Sequence, residues 1–579
     1  MSRSFEVWAP FARSVELAIH GQNLPMRGDE SGWFRCSDPD AAPGDRYGFV
    51  LDDGDVLPDP RSASQPDGVH GLSAVVDHGR FPWTDAAWHG GPLASAVIYE
   101  LHVGTFTAQG SFEAVIPHLR DLVALGVTAV ELMPVGEFAG NRGWGYDGVD
   151  LYAPYHAYGG PEGLKHLVDA CHAQGLAVVL DVVYNHLGPE GNHLGSFGPY
   201  FTDRYRTPWG DAVNLDDEDS DPVRGFIVDN ALMWLREYHV DGLRLDAVHA
   251  FLDTSAVHIL EELAGAVEAL QASLGRTLWL IAESDLNDPH VVRSREAGGY
   301  GVDAQWSDDF HHALHAALTG ERRGYYADFN GLADVAKALR QVFVIAGSYS
   351  RHRRRRHGRA ATGLPGSRFL GYLQDHDQVG NRAAGERSSA LMSPARLRIG
   401  AALVLLSPFV PMLFQGEEWA ASTPFQYFTD LQDPGLGRAV SQGRRREFAA
   451  FGWPAEDVPD PQDEATFLRS RLDWHECDQP AHRDMLDWHR RLIALRRNHS
   501  AFSDSRLDAV QAFADDASGV LVLRRGDVVV ACNIASHGSR IDAGDASGGR
   551  TVLLASHEGV DVSGAAVTLP PESVVVWQE

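Results

Sequence analysis

A chain of 579 residues is too long for one compact core, so its length predicts roughly two to four domains. Hydrophobic residues make up 44% and charged residues 22%, which is typical of a folded globular protein, and no run reaches the roughly 18 uncharged apolar residues that span a bilayer. The formal net charge of −30 argues against a nucleic-acid partner, because phosphate binding needs a basic surface.

The N-terminus and the cysteines bear on the cellular compartment. The first residues, MSRSFEVWAP, contain no apolar stretch of the kind found in secretory signals, so we expect a cytoplasmic protein. Cys36, Cys171, Cys477 and Cys532 are widely spaced and form no CxxC pair. We therefore predict reduced thiols, with neither a disulfide framework nor a zinc site.

Residues 1–88 are predicted to form a small β-sandwich. The segments FEVWAP, SVELAIH, WFRC and YGFVLDD are rich in Val, Phe, Trp and Tyr, and clusters of Gly, Pro and Asp separate them. Residues 501–579 show the same pattern in VLVLRR, DVVVACNI, RTVLLAS and SVVVWQ. A second β-sandwich is therefore expected at the C-terminus.

The central residues, 89–500, alternate between strand-like apolar runs and helical patterns, which is typical of βα units with a parallel sheet. Eight strands are predicted. They are SAVIYEL, AVELMPV, LAVVLDVVYNH, DGLRLDA, LWLIAES, GVDAQWS, FLGYLQDHD and VPMLFQGEE. Eight strands with intervening helices favour a closed (β/α)8 barrel. An open, doubly wound sheet is the alternative, but no GxGxxG follows any of the strands.

The ends of these strands are unusually polar. In a (β/α)8 barrel the reactive groups lie at the C-terminal ends of the strands, so this is where catalytic residues are expected. Five strands end there in carboxylate, histidine or arginine side chains, which packing alone does not explain. The segments are DVVYNH from Asp181, RLD from Arg244, ESD from Glu283, HDQ from His376 and QGEE from Gln415.

The fourth and fifth strands supply a pair of carboxylates. Arg244 and Asp246 are two residues apart, so both are predicted to point into the barrel mouth. A guanidinium beside a carboxylate lowers its pKa, which suits Asp246 to act as a nucleophile. Glu283 ends the next strand after the apolar run LWLIA, where partial burial would raise its pKa and suit it to act as a general acid. Two carboxyls in opposed environments are what glycosidases use, and adjacent strands predict retention of the anomeric configuration.

A glycine-rich segment and a basic segment each have more than one interpretation. Tyr146, in the glycine-rich segment GWGYDG, is predicted to be a platform for a sugar ring, because sugar rings pack on aromatic faces, and a core residue is the alternative. The basic segment RHRRRRHGR, residues 351–359, is interpreted as a solvated loop, with a clamp over a polar substrate and a nucleic-acid contact as the alternatives.

The motifs DVVYNH, DGLRLDAVH, IAES and LQDHDQ resemble the four ordered conserved regions of the α-amylase family, glycoside hydrolase family 13. The resemblance covers residues 95–500. It implies that Asp246 is the nucleophile, Glu283 the acid/base and Asp377 the stabiliser of the transition state. It also implies that Arg244, His186 and His376 line the subsite of the sugar whose bond is broken, with Tyr146 beneath that sugar. One position departs from the pattern, because Asp375 stands where Asn is commoner.

Within the family, the segments IAESDLNDP, WSDDFHHALH, HDQVGNR and PMLFQGEEW most resemble members that hydrolyse the α-1,4 bond next to the terminal trehalose of maltooligosyltrehalose. We therefore expect maltooligosyltrehalose and related α-glucans as substrates. Loop position alone makes Trp306, Asp308, His311, Glu417 and Glu418 candidates for the trehalose subsites.

Two other functions stay open at this point: a glucan branching or debranching enzyme, and a catalytically inactive carbohydrate-binding protein. Some family members bind calcium near the Asn of the DVVYNH region, but nothing in the sequence specifies a cage of six to eight oxygens. We therefore predict no cofactor and no required metal. The oligomeric state and the preferred chain length are not predictable from the sequence.

Overall fold

Two small antiparallel sheets form the N-terminal part of the computed structural model, which describes residues 3–450, 454, 457–543, 549–563 and 565–579. One sheet has three strands and the other has five. The alternation of residues sets the buried face, since Phe5 and Val7 are buried while Ser4 and Glu6 are exposed. The strands are Arg3–Trp8, Val15–Ile19, Gln22–Pro25, Arg27–Gly28, Trp33–Asp38, Arg46–Leu51, Val56–Leu57 and Ser73–Ala74.

Eight parallel strands close into a barrel in the middle of the chain, which confirms the predicted fold. Each strand pairs with its neighbours in sequence order, and the last pairs with the first. Every predicted strand segment contains one barrel strand. In chain order, β1 to β8 are Ile98–Leu101, Ala129–Leu132, Ala177–Val182, Gly242–Leu245, Trp279–Ala282, Ala304–Trp306, Phe369–Gly371 and Val410–Phe414.

Helices surround the barrel and occupy its loops. The helix Gly160–Ala173 shows why they form where they do: proline stands in its first turn, and Leu164, Leu167, Val168 and Cys171 make one buried face. The other helices are Val103–Phe106, Phe112–Val115, Leu119–Leu125, Leu194–Phe197, Ser220–Glu237, Ile259–Leu274, Asp308–Thr319, Leu332–Gln341, His376–Gly380, Ser388–Leu391, Pro394–Leu405, Pro434–Ala450, Glu464–Arg469 and Pro480–Asn498. Three two-stranded sheets lie in the loops. They pair Gly136–Glu137 with Asp150–Pro154, Phe201–Thr207 with Gly210–Val213, and Tyr349–Ser350 with Arg355–Arg356.

The barrel interior is apolar near the start of the strands and charged near their ends. Ile98, Ala129 and Ala177 belong to an apolar cluster that fills the lower layers. Two residues further along β1 and β2, Glu100 and Glu131 lie side by side, buried among the next set of side chains. The charged layer therefore lies where the strands open toward the active site.

The C-terminal part consists of a five-stranded antiparallel sheet and a two-stranded sheet. Its central strand, Val528–Asn533, is buried along its whole length. The other strands are Val510–Asp515, Val520–Arg525, Ser539–Asp542, Thr551–Ala555, Ala566–Leu569 and Ser573–Gln578. The domain limits predicted at residues 88 and 500 stay predictions.

The cysteines and the longest helices were each the subject of a sequence prediction. All four cysteines are free thiols, as predicted. Of the helices in the described part of the chain, none combines the length and the apolar character needed to cross a bilayer.

A buried ion network lies at the start of β4. The imidazole of His172 lies between two carboxylates, with Nδ1 2.8 Å from Asp85 and Nε2 2.9 Å from Asp241. Trp88 and Arg276 also donate hydrogen bonds to Asp241. Burial opposes charge on His172, but the bonds to the two aspartates outweigh it and raise the pKa of the imidazole. With a carboxylate at each ring nitrogen, the imidazole ties the segment before β1 to the barrel, most strongly when it is protonated.

Because the folded pKa of His172 lies above its unfolded value of about 6.5, the network stabilises the fold fully below that pH and loses its effect as pH rises through the folded pKa. We expect His172→Gln to lower Tm by about 1–3 °C near pH 6, because hydrogen bonds to a charged group contribute roughly 1.5–3 kcal/mol and the unfolding entropy grows with chain length. The difference from wild type should shrink above the folded pKa. Thermal unfolding across pH measures this, with His537→Gln, on an exposed side chain, as the control. A difference that does not change with pH would contradict the charged state.

Candidate active site

One guanidinium joins the carboxylates at the ends of three neighbouring strands. Arg244 on β4 is fully buried. Its Nη1 donates to Asp181 Oδ2 at 2.8 Å and to Asp246 Oδ1 at 2.8 Å. Its Nη2 donates to Glu283 Oε2 at 2.9 Å. The inward direction predicted for Arg244 and Asp246 is therefore confirmed, and the two predicted catalytic carboxylates share one cation.

Glu283 lies at the edge of a cavity of about 710 Å³. Its side chain is 19% exposed, whereas that of Asp246 is 10% exposed. The backbone N–H of Ala247 donates to Glu283 Oε2 at 2.8 Å, so this oxygen is held by two donors. A carboxyl fixed through one oxygen at the rim of a cavity is well placed to exchange a proton with a bound ligand.

A buried chain of hydrogen bonds positions Tyr146. The Nδ1 of His376 bonds to Glu100, and its Nε2 lies 2.7 Å from the Tyr146 hydroxyl. Burial disfavours charge on His376, but Glu100 and Asp377 raise its pKa to about 10, so it is protonated at neutral pH. The Tyr146 hydroxyl accepts from His376 and donates to Asp181 at 2.6 Å. The ring predicted as a sugar platform is thus held by its hydroxyl between a cation and a carboxylate.

Asp377 and Asp375 share one short helix but have different environments. Asp377 lines the cavity with 36% of its side chain exposed, and Asn381 donates to its Oδ1 at 3.0 Å. Asp375 is buried and accepts the backbone N–H of Gln378 as a helix N-cap. Burial, together with the charge on Glu100, raises the pKa of Asp375 well above its usual range. The carboxyl at this position therefore caps the helix that carries Asp377.

His186 lies outside the cavity of Glu283 but carries an exposed aromatic neighbour. Its ring stacks on Trp209, with centroids 4.5 Å apart and planes 9° apart. Burial lowers the pKa of His186 to about 4, so the ring is neutral. Trp209 is 49% exposed at the turn of the hairpin that follows β3. Trp209 was not among the predicted residues, because no sequence pattern marks a single tryptophan in a polar loop.

Segments after β5, β6, β7 and β8 line the cavity beside Glu283. Tyr325 and Arg382 line it, and neither was predicted. The basic segment 351–359 also contributes, since His352 and Arg353 line the cavity and Arg353 forms an ion pair with Asp285. The remaining arginines of the segment are exposed. The solvated-loop interpretation therefore fits these arginines, and the clamp over a polar substrate stays a prediction.

Asp308 is the one predicted trehalose-subsite residue that lines this cavity. It starts the helix after β6, and Tyr372 donates its hydroxyl to the carboxyl. Burial, followed by the charge on Glu283, raises the pKa of Asp308 to about 8. At neutral pH this carboxyl holds a proton, and it can donate a hydrogen bond to a ligand.

Two other candidates for the trehalose subsites lie in the protein interior instead of the cavity. Trp306 is buried inside the barrel, where the Arg244 guanidinium lies 4.4 Å from its ring centroid. His311 is buried in the helix after β6, with Nδ1 2.8 Å from the Leu373 carbonyl and Nε2 3.1 Å from the Tyr326 hydroxyl. Both residues were predicted from loop position alone. The helix after β6 already begins at Asp308, and His311 on this helix faces the interior.

Glu417 and Glu418 also lie away from the cavity of Glu283. A short 3-10 turn after β8 carries both. Glu417 accepts the backbone N–H of Phe414 at 3.3 Å, and Glu418 accepts the hydroxyl of Tyr99 at 2.9 Å. Because Tyr99 is on the outer face of β1, Glu418 points away from the barrel axis. Polar residues after a strand thus need not face its mouth.

No group of three or more His, Cys, Asp or Glu side chains is arranged to hold a metal ion within the ranges that the structure describes. The absence of a required metal stays a prediction.

Comparisons with known proteins place these features in a family. Residues 55–197 match the alpha amylase catalytic domain, and residues 505–576 match a domain of unknown function, DUF3459. The malto-oligosyltrehalose trehalohydrolase of Arthrobacter ramosus is 53% identical, over 92% of this chain and 92% of that protein. The one from Rhizobium sp. is 46% identical, over 99% of this chain and 97% of that protein.

Solved structures agree with the fold. A crystal structure from Salmonella typhimurium, assigned provisionally as an alpha amylase, is 38% identical with a TM-score of 0.91 and covers 100% of this chain and 97% of that chain. A pullulanase from Anoxybacillus sp. has a TM-score of 0.73 at 20% identity, covering 100% of this chain and 86% of that chain, which supports the fold alone. Given the extent of these matches, this chain belongs to the malto-oligosyltrehalose trehalohydrolase family and carries the alpha amylase catalytic domain.

Proposed function

We propose that this protein hydrolyses the α-1,4 bond next to the terminal trehalose of malto-oligosyltrehalose and releases trehalose. The observation that carries the proposal is the pair Asp246 and Glu283, bound to opposite arms of the Arg244 guanidinium, with Glu283 at the rim of the cavity. The names of the relatives support the substrate. The test is product analysis with purified malto-oligosyltrehalose, in which each bond cleaved yields one trehalose.

The proposed reaction has two steps. In the first, an Asp246 carboxylate oxygen bonds to the anomeric carbon while the glycosidic C–O bond breaks, and Glu283 gives its proton to the departing oxygen. In the second, Glu283 takes a proton from water, the water oxygen bonds to the same carbon, and the bond to Asp246 breaks. Arg244 stays between the two carboxyls, and Asp377 is proposed to bind hydroxyls of the sugar at the transition state.

The position of the acid suggests which side of the site holds the leaving sugars. A general acid must reach the leaving oxygen, so the space beside Glu283 belongs to the leaving group. That space is bounded by Asp308, Tyr325 and Arg353. We therefore assign trehalose recognition to these residues and leave the Tyr146 and His186 side to the sugar whose bond is broken.

We expect the freed maltooligosaccharide to emerge as the α-anomer. Asp246 and Glu283 are held by the same guanidinium, which favours attack by the carboxylate itself over attack by a water seated between two distant carboxyls. NMR of the newly formed reducing end, recorded before mutarotation, measures the product. A β-anomer as the initial product would show inversion and would rule out the covalent step.

A further inference from the structure

Three consecutive arginines lie in the second half of the helix Pro434–Ala450, and the first of them, Arg444, turns toward the active site. Its guanidinium carbon lies 4.8 Å from the ring centroid of Tyr427 and 4.9 Å from that of Phe448. The side chain of Arg444 is 13% exposed, whereas the two arginines that follow it are exposed residues. A guanidinium withdrawn from water in this way needs acceptors for its N–H groups.

Arg444 finds these acceptors at the end of the short helix after β7. Its Nη2 donates to the backbone carbonyl of Gly380 at 2.6 Å, and its Nη1 donates to the side-chain oxygen of Asn381 at 3.0 Å. A weaker bond of 3.3 Å joins Nη1 to Glu447 on its own helix. The short helix, His376–Gly380, has five residues, and the last carbonyls of a helix have no partner within it. Arg444 therefore anchors the C-terminal end of this helix.

Asn381 extends the contact to Asp377. Its Nδ2 donates to Asp377 Oδ1 at 3.0 Å. Among the residues that the structure describes, no other group donates to this carboxylate, since His376 Nε2 bonds to Tyr146 and lies 3.7 Å from Asp377 Oδ2. The Asp377 side chain is 36% exposed at the cavity, so packing alone does not hold it. Its direction therefore depends on Asn381.

The chemistry of the two partners determines which way the Asn381 amide points. A guanidinium can only donate, so Arg444 takes the amide oxygen and leaves the NH₂ group for Asp377. An amide rotated by half a turn would place its oxygen against the carboxylate and its NH₂ group against the guanidinium, and both contacts would be repulsive.

We propose that Arg444, acting through Asn381, is a positioning residue for Asp377. The proposal rests on the proposed function, in which Asp377 binds hydroxyls of the sugar at the transition state. Contacts that strengthen only in the transition state raise kcat, and a misplacement of about 1 Å can cost about 10²-fold. Arg444 thus keeps a carboxylate at the rim of the cavity in the orientation that the reaction needs.

Arg444→Ala should lower kcat by about 10–100-fold and leave KM within about threefold of wild type. The loss should be the same on malto-oligosyltrehalose and on a maltooligosaccharide, because Asp377 is assigned to the sugar whose bond is broken, which both substrates share. Steady-state kinetics on both substrates measure this. The matched control is Arg446→Ala, which makes the same change at an exposed position of the same helix and should keep wild-type activity.

A double-mutant cycle tests whether Arg444 acts through Asn381. Asn381→Ala should cause a loss of kcat similar to that of Arg444→Ala. If the two residues act in series, removing both costs little more than removing one, so Arg444→Ala should lower kcat by about threefold or less in the Asn381→Ala background. A role confined to the stability of the helix would keep the full loss in that background.

Asn381→Asp gives a pH-dependent readout and leaves the packing of Arg444 in place. An ionised carboxyl here accepts from Arg444 but cannot donate to Asp377, so kcat at neutral pH should fall at least as far as in Asn381→Ala. Two carboxyls in contact share a proton at a higher pH than an isolated aspartate, and the shared proton restores the donor. The ratio of variant kcat to wild-type kcat should therefore rise as the pH is lowered from about 8 to about 5. The charged groups around the pair, Arg444, Glu447 and His376, are common to both proteins, so their titration cancels in the ratio.

Three results would overturn the proposal: wild-type kcat in Arg444→Ala, losses that multiply in the double variant, or a constant ratio across pH in Asn381→Asp. A raised KM with unchanged kcat in Asn381→Ala would also overturn it, because Asn381 would then contact the substrate directly. Trehalose release by the wild type is measured in the same assays. A wild type that releases no trehalose contradicts the proposed function, whereas release with any of these results contradicts the positioning role alone.

Discussion

Asp246→Asn and Glu283→Gln should each lower kcat for malto-oligosyltrehalose by at least about 10³-fold while leaving the protein folded. General acid catalysis alone contributes about 10²–10⁴-fold, and an amide at position 246 cannot form the covalent intermediate. Both amides keep the shape of the side chain beside Arg244. Steady-state kinetics on variants free of wild-type enzyme measure the loss.

The control for this pair is Glu296→Gln, which makes the same change at an exposed glutamate. It should keep wild-type activity, and all three variants should show the circular dichroism of the wild type. Turnover within tenfold of wild type in a folded Asp246→Asn or Glu283→Gln protein would contradict the assigned roles.

The second large effect concerns the choice of substrate. The wild type should prefer malto-oligosyltrehalose over a maltooligosaccharide of equal length, and discrimination by paired polar groups can reach about 10⁴-fold. Both substrates offer the same α-1,4 bond, so the preference arises from the two leaving sugars. Asp308→Ala should reduce kcat/KM for the trehalose-ended substrate by about 10–100-fold, the equivalent of one lost hydrogen bond to a ligand. The maltooligosaccharide should be affected less.

Asp308→Asn separates the hydrogen bond from the charge. Because the pKa of Asp308 is about 8, its carboxyl is protonated at neutral pH, and an amide can donate in its place. We expect this variant to keep most of the preference. Arg355→Ala removes an exposed arginine from the segment that carries Arg353 and serves as the control. Equal losses on both substrates in Asp308→Ala would remove this residue from trehalose recognition.

The sequence predicts those side-chain directions in the site that follow from the two-residue repeat of a β-strand. Side chains alternate between the two faces, so an inward Arg244 also fixes Asp246, and both were predicted correctly. The eight barrel strands were also predictable, because short apolar runs alternate with helical patterns along residues 89–500.

What sequence could not supply is the path of the chain after each strand. The turn Glu417–Trp419 directs Glu418 to the outside of the barrel, and the helix from Asp308 turns His311 inward. Conversely, Tyr325 and Arg353 reach the cavity from segments distant in sequence from Glu283. Loop side chains are placed by tertiary contacts that no local pattern encodes.

The most direct measurement of the central claim is the product composition after incubation with purified malto-oligosyltrehalose. Chromatography should show free trehalose and a maltooligosaccharide in equal molar amounts from the first turnovers, with little product from maltooligosaccharide alone. A protein that forms α-1,6 branches on amylose and releases no trehalose would be a branching enzyme, and that result would contradict the account.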